Sequence, residues 1–287
     1  MRFFKRVDIV FFGFVIITTL LLFFSRNEVL NFNQLILTRF YIIILSIGLI
    51  FFSAKYKFKI LSFLRDIYPV IFSGYFYSET VFYNKLFFNN LDPLLIDYET
   101  ALFGFQPSLR FSEYFNSLFF SELMYFGYFS FYLIIIGFVL CVYFKNKPSF
   151  NRDFFLLTSS LYLFYFLFGL VPSEGPQFYF SNPDSQVPTA YFFDKVMHFI
   201  QENGEQPTGA FPSSHVGISL IILIISKKTI PIFFKIALPI TILLFLSTVY
   251  IKAHYLIDVF GGIIVAPLIL FISKKLYYNL KTTQSKG

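Results

Sequence analysis

The sequence predicts an all-α fold, a polytopic membrane helix bundle of about eight transmembrane helices built around a six-helix core. Of its 287 residues, 56% are hydrophobic and only 14% are charged, whereas a soluble domain carries about 25% charged residues. Apolar runs recur along the chain at about the 20 residues that a membrane-spanning helix needs. No stretch between these runs is long enough to bury a core of its own, so we expect a single membrane domain.

The first apolar run follows a basic start, Met-Arg-Phe-Phe-Lys-Arg at residues 1–6, of the kind that opens signal peptides. No small residues at cleavage-site spacing follow the run, so we expect a retained first helix. The runs divide the chain into an N-terminal pair of helices (1–60), the six-helix core (61–275) and a cytoplasmic tail (276–287). The predicted spans are residues 8–24, 36–53, 66–88, 122–144, 154–171, 211–226, 231–250 and 255–273.

The distribution of basic residues decides whether the ambiguous run at 66–88, which contains Glu79 and Lys85, crosses the membrane. If it does, 17 of the 23 Lys and Arg residues fall in loops on one side, as the positive-inside rule requires of the cytoplasmic face. We therefore predict eight spans with both termini cytoplasmic, in a bacterial inner or plasma membrane. Two long loops, 89–121 and 172–210, are then expected on the outer side.

Charge and cysteine content exclude several classes of function. The net charge of +7 is spread over small clusters between apolar runs, without the basic stripe or tail of a nucleic-acid-binding protein. Cys141 is the only cysteine, so the chain can form neither an intramolecular disulfide nor a cysteine metal site. The partners expected from this pattern are membrane lipids.

Two short polar islands interrupt the apolar C-terminal third, and they hold two of the three histidines. The first is Pro-Ser-Ser-His at residues 212–215, where a proline and serine hydroxyls suit the first turn of a helix. The free N–H groups of a helix start can bind a phosphate, which would place His215 beside the anion. An ordinary capped helix start with an interfacial histidine explains this island equally well.

The second island, residues 247–258, contains His254 and Asp258 four positions apart, which places them on one face of a helix. A carboxylate bonded to one ring nitrogen fixes the tautomer and leaves the other nitrogen free, as an oriented nucleophile requires. A helix-stabilising Asp–His pair is the structural alternative. Both islands are predicted on the outer face, and this coincidence favours a reaction centre, because ionisable groups at a membrane edge are costly.

The outer loop before the first island contains a segment, 190–200, that reads as a short amphipathic helix. Such a helix, extending to about residue 203, can lie at the headgroup boundary or form a lid. Its His198 follows Asp194 by four residues, and a solvated pair on the helix surface explains that spacing better than a catalytic role.

These motifs resemble those of the type 2 phosphatidic acid phosphatase superfamily of lipid phosphatases and phosphotransferases. Residues 212–215 match its middle motif, and Ser247, His254 and Asp258 match the spacing of its last motif. The residues of the last motif, which two glycines follow, look closest to those of the branch that includes inositol phosphorylceramide synthases. The first motif of that branch resembles residues 172–177, Pro-Ser-Glu-Gly-Pro-Gln, and the resemblance covers roughly 90–275.

The resemblance implies an enzyme, a phosphoric monoester hydrolase or phosphotransferase, that acts on a lipid phosphate at the outer face through a phosphohistidine. His254 would attack the phosphorus, Asp258 would orient it, and His215 would protonate the leaving oxygen. The phosphate-binding candidates are Ser213, Ser214, Lys252, Ser247 and Gln177. The resemblance implies no metal and no cofactor.

The sequence departs from the family pattern at two arginine positions, now Gln177 and Thr248. Phosphoryl transfer needs positive charge or preorganised donors, and Lys252 is the best replacement, ahead of Arg110 and Lys195. The same departure motivates the alternative of a catalytically impaired protein of this fold that binds lipid phosphates. A transporter is a further alternative, but the chain shows no internal repeat and its polar residues cluster at one face rather than at mid-depth.

Overall fold

The computed structural model describes residues 4–56, 58–181 and 186–280, and in these ranges the chain is helical and contains no strand. The predicted all-α fold is therefore confirmed. The helices are α1 (Arg6–Phe24), α2 (Phe32–Lys55), α3 (Lys59–Glu79), α4 (Asp92–Phe103), α5 (Pro107–Tyr114), α6 (Leu118–Lys145), α7 (Lys147–Leu170), α8 (Pro176–Tyr179), α9 (Phe193–Gly204), α10 (Ser214–Thr229), α11 (Pro231–Tyr250) and α12 (Leu256–Asn279).

Six of these helices, α1, α2, α6, α7, α11 and α12, are long and apolar enough to cross a membrane. The other two predicted spans differ from the prediction. Helix α10 has 16 residues, about 24 Å at 1.5 Å per residue, and α3 ends at Glu79 rather than at 88. The polar second half of 66–88 lies in a loop, where Lys85 forms an ion pair with Glu174. Spanning by α3 and α10 remains a prediction.

The first three helices are joined by buried ion pairs. Arg39 on α2 contacts Glu79 on α3, with Nε 3.0 Å from Oε2, and its Nη1 donates to Thr18 on α1 at 2.9 Å. A second pair joins α3 to α1, where Arg65 Nη1 lies 3.1 Å from Asp8 Oδ1. Helix α3 also contacts α7. The predicted boundary at residue 60 therefore falls just inside a helix that contacts both parts of the bundle.

The centre of the bundle is the packing of α6, α7, α10, α11 and α12 against one another. Close approach of α6 and α11 depends on Gly127, because a Cβ there would lie 2.0 Å from the Ser247 hydroxyl. Small residues permit such contacts between membrane helices. This core fixes the ends of α10, α11 and α12, which carry both polar islands.

The two long loops that are predicted on the outer side contain more helix than the sequence predicts. Helices α4 and α5 occupy much of the first loop, and α9 occupies residues 193–204 of the second, three residues later than the predicted start at 190. Helix α9 packs on α6, and Glu122 of α6 accepts the backbone N–H groups of residues 191–193 at 2.8–3.0 Å. The Asp194–His198 pair is present, with His198 Nε2 2.9 Å from Asp194 Oδ1, but only the histidine is at the surface, since its side chain is 54% exposed and that of Asp194 is 7% exposed.

Candidate active site

Three loops that are distant in sequence interleave at one end of the bundle. They are 172–177, which runs into the first two residues of α8, 209–213 before α10, and 251–255 between α11 and α12. Gln177 N–H donates to the Lys252 carbonyl at 2.8 Å, and Phe211 N–H donates to Ser173 Oγ at 2.7 Å. The three motifs predicted from sequence thus form one hydrogen-bonded unit.

Gly175 is required by this arrangement on two grounds. Its backbone has φ 87° and ψ 162°, a region that is essentially restricted to glycine. A Cβ at this position would lie 2.8 Å from the carbonyl oxygen of Ala253. The first loop can therefore approach the loop of His254 this closely only with glycine here.

Asp92, at the start of α4, holds the same loop from the other side. Its carboxylate accepts the backbone N–H groups of Glu174 at 2.7 Å and Gly175 at 2.9 Å. It also accepts the hydroxyl of Tyr255 at 2.9 Å. Burial raises the pKa of Asp92, against these hydrogen bonds. One carboxyl group from the first outer loop thus joins the first and third motifs.

The site contains a direct contact between the two predicted catalytic histidines. His215 Nδ1 lies 3.1 Å from His254 Nε2, although 39 residues separate them. The ring of His215 packs between Tyr128 and Phe131, with centroid distances of 4.7 and 4.4 Å. The aromatic contacts fix the plane of His215 and aim its Nδ1 at His254.

The carbonyl oxygen of Ala210 determines the tautomer of His254. It lies 2.8 Å from His254 Nδ1, and because a carbonyl only accepts, Nδ1 carries the proton. In neutral His254 the lone pair is then on Nε2, and His215 Nδ1 donates to it. Burial lowers the pKa of His254 to about 4, against the opposing effects of the Ala210 carbonyl and the charge of Glu205. His254 is therefore neutral at pH 7.

Asp258 is the second group facing His254 Nδ1, with Oδ2 at 3.4 Å. The same oxygen accepts the backbone N–H of Tyr255 at 2.8 Å, and the Asp258 carbonyl accepts Ser213 N–H at 3.1 Å. Asp258 thus links the starts of α12 and α10. The sequence placed Asp258 as the orienting group, and it could not reveal that a backbone carbonyl lies closer.

Two of the predicted phosphate-binding serines lie at the start of α10, and the third does not. Ser213 is the N-cap residue, whose hydroxyl accepts Val216 N–H at 3.3 Å, whereas Ser214 lines a cavity beside His215. Ser247 lies against α6, and its hydroxyl donates to the Leu243 carbonyl at 2.7 Å. Ser247 therefore belongs to the contact between α11 and α6, whereas Ser214 lies at the site.

The two positions where the family pattern has arginine hold neutral side chains with internal partners. Gln177 Nε2 donates to Glu205 Oε2 at 2.6 Å, and Thr248 Oγ1 donates to the Phe245 carbonyl at 2.8 Å.

Among the predicted replacement cations, Lys252 lies within the interleaved loops. It has a positive φ of 63° and is 4% exposed. Arg110 instead pairs with Glu113 at an exposed position, and Lys195 is exposed on α9.

A cavity of about 710 Å³ opens beside His215. It runs between α3 and α6, from Phe63 to Ser78 along α3, which is about 22 Å at 1.5 Å per residue. Most of its lining is apolar or aromatic, and its polar end holds Ser214, His215 and Glu205. His215, one member of the histidine pair, therefore adjoins a long apolar cavity.

Glu205 is a site residue that sequence reasoning missed. It is 9% exposed, and its carboxylate accepts the Tyr128 hydroxyl at 2.9 Å and the Gln177 amide at 2.6 Å. Its position ten residues before His215, at the edge of an apolar run, was the available signal, since ionisable groups at membrane edges default to functional candidates.

Within the described ranges, no group of three His, Cys, Asp or Glu side chains is placed to hold a metal ion.

Comparison with family models matches residues 95–272 of the chain to the PAP2 superfamily. The match covers all three interleaved loops, both histidines and helices α6 to α11, and it carries no assignment to a narrower branch. Comparison with curated proteins and with solved structures finds no match. With the family model covering more than half of its length, the chain belongs to the PAP2 superfamily, the type 2 phosphatidic acid phosphatases and their relatives.

Proposed function

We propose that the protein is an integral membrane lipid-phosphate phosphatase or phosphotransferase that works through a phosphohistidine at the outer membrane face. One observation carries the proposal: His254 Nε2 bears a lone pair and lies 3.1 Å from His215 Nδ1. Superfamily membership supports lipid phosphates as the substrate class. The inositol phosphorylceramide synthase-like branch remains part of the proposal.

In the first half-reaction the phosphoryl group takes the place of the hydrogen bond between the two histidines, and the freed lone pair of His254 Nε2 attacks the phosphorus, forming a P–N bond as the P–O bond to the lipid breaks. His215 gives a proton to the leaving oxygen, from an imidazolium form that the negative charge of the bound phosphate stabilises. The positive charge that develops on His254 faces the Ala210 carbonyl and Asp258 Oδ2. Asp258 is a positioning residue in this scheme, because it acts through His254.

In the second half-reaction water or an alcohol attacks the phosphorus and breaks the P–N bond. Neutral His215 takes the proton of the attacking oxygen and returns to its imidazolium form. Ser214 and the N–H groups at the start of α10 supply donors for the phosphate oxygens. Lys252 is proposed as the cation that replaces the missing arginines, with lesser roles for Ser213 and Gln177; Ser247 lies in the contact of α11 with α6 and takes no part in this scheme.

The test is release of phosphate from phosphatidic acid and from a polyprenyl diphosphate by the purified protein. We expect His254→Ala to lower kcat by at least about 1000-fold, as loss of a nucleophile does. His198→Ala is the matched control, because His198 is 54% exposed on α9, and it should retain full activity. Absence of turnover with every lipid phosphate tried, or full activity in His254→Ala, would disprove the proposed mechanism.

A catalytically impaired lipid-phosphate-binding protein is the second candidate function. The observation that favours it is that Gln177 is held by Glu205 and Thr248 by a helix carbonyl, so neither former arginine position supplies positive charge. This alternative expects equal binding of phosphatidic acid by the unaltered protein and by His254→Ala, with no turnover by either.

A further inference from the structure

Glu205 brings a negative charge to a site that is proposed to bind an anion. Both of its oxygens accept hydrogen bonds, from the Tyr128 hydroxyl and the Gln177 amide. Both contacts suit a carboxylate, whose two oxygens are acceptors. The Gln177 amide is oriented in turn by Gln201, whose Nε2 donates to Gln177 Oε1 at 2.9 Å.

The carboxylate is placed at the polar end of the cavity. Glu205 follows the last residue of α9 and lines the cavity together with Ser214 and His215. Its charge acts on the imidazole of His254. A phosphate bound at the histidines would therefore be held close to Glu205.

This arrangement disfavours a phosphate group of high negative charge. A like charge nearby opposes binding of an anion, and the two neutral residues at the arginine positions, Gln177 and Thr248, do not offset it, which leaves Lys252 alone among the proposed phosphate-binding residues to supply positive charge. A substrate that carries its own positive charge beside the phosphate would satisfy both groups. Its cation would pair with Glu205 while its phosphate met the histidines.

Aromatic side chains around Glu205 fit the same kind of ligand. Tyr77, Tyr132 and Tyr165 line the cavity with it, and the rings of Tyr77 and Tyr165 lie 6.0 Å apart. The charge of the carboxylate acts on the hydroxyl groups of Tyr77, Tyr128 and Tyr132. Aromatic rings combined with a carboxylate are the chemistry that recognises alkylammonium groups.

We propose that the polar end of the cavity is a subsite for an ammonium group in the lipid headgroup, with Glu205 as its specificity-determining residue. The inference rests on the proposed function in one respect, that the histidine pair holds the phosphate of the same lipid. The favoured ligands are zwitterionic phosphodiester lipids, in which an amine or a quaternary ammonium lies two carbons from the phosphate oxygen.

Binding is measured on His254→Ala protein in detergent, so that turnover does not consume the lipid. The probes are short-chain phosphatidylethanolamine and phosphatidylcholine, compared with phosphatidylglycerol, which has the same phosphodiester without a cation, and with phosphatidic acid. We expect the two ammonium lipids to bind at least about 10-fold more tightly than phosphatidylglycerol. Equal affinities for these lipids would overturn the proposal.

Glu205→Gln, added to the same protein, should abolish the preference without disturbing its neighbours, since the new side chain can keep its oxygen toward the Gln177 amide and turn its NH₂ toward the Tyr128 hydroxyl, which can accept. Glu202→Gln is the matched control, being exposed on α9 three residues away, and it should keep the preference. Glu205→Asp preserves the charge and should retain part of the preference even if Glu205→Gln folds poorly. Preference that survives in a folded Glu205→Gln protein contradicts the proposal. Because binding is read without turnover, a failed phosphatase assay leaves this result independent.

Discussion

Glu99 shows how single carboxyl groups hold the site at a cost in stability. On α4, its Oε1 accepts Ile257 N–H at the start of α12 at 3.1 Å, while Oε2 has no hydrogen-bond partner among the described residues. Burial, reinforced by the negative charge of Asp258, raises the pKa of Glu99 from 4.5 to about 7. The carboxyl group supports the helix that follows His254, but the protein folds more favourably when this group is protonated.

This raised pKa predicts that the protein loses stability as pH rises from about 4.5 to about 7. The folded state binds the Glu99 proton more tightly than the unfolded state, so the contribution is greatest below pH 4.5 and is lost above pH 7. A shift of this size corresponds to about 3 kcal/mol at most. Glu99→Gln keeps the acceptor for Ile257 N–H and should flatten this part of the profile, measured as the thermal unfolding midpoint in detergent. Parallel profiles for the two proteins would contradict the prediction.

The sequence identified His215, His254 and Asp258 because motif spacing and membrane-edge placement are local properties. It did not single out Asp92, Glu99 or Glu205 as parts of the site, since each makes its contacts with the loops through tertiary packing. Nor does any side chain signal the Ala210 carbonyl, which is a backbone group.

At the scale of elements, α1, α2 and α3 depend on the buried pair Arg39–Glu79, whose side chains are each 2% exposed. Removing one partner of such a pair leaves an uncompensated buried charge and costs about 3–5 kcal/mol. Arg39→Met should therefore lower the unfolding midpoint strongly, whereas Arg110→Met, which breaks the exposed pair with Glu113, should change stability by less than about 1 kcal/mol. Equal midpoints for the two variants would show that Arg39 does not tie the helices together.

Sequence reasoning located the long helices better than the short ones. The ends of helices α6, α7, α11 and α12 fall within seven residues of their predicted spans, and those of α11 coincide with them, because long apolar runs are unambiguous. Helix α4 was read as loop, since its buried carboxylates resemble the polar composition of exposed segments. Helix α10 begins at 214 rather than 211, because Pro212 precedes the Ser213 cap.

For the whole molecule, the distribution of basic residues predicts a cytoplasmic side and an outer side. Glu113 and Lys147 flank α6 and are both exposed, so they should lie on opposite sides of the membrane. In a Cys141→Ser background, Glu113→Cys should react with a membrane-impermeant maleimide on intact cells. Lys147→Cys should react only after the membrane is permeabilised. The reverse pattern would place the histidine pair on the cytoplasmic side.

Only one of the two walls of the cavity lies within the residues that match the superfamily. Residues that match the superfamily begin at 95, whereas α3, which lines the cavity from Phe63 to Ser78, lies before them. Substitutions along α3 can therefore change which molecules enter without altering the loops that hold His215 and His254. A change of substrate that is made along α3 then leaves the histidine site as it is.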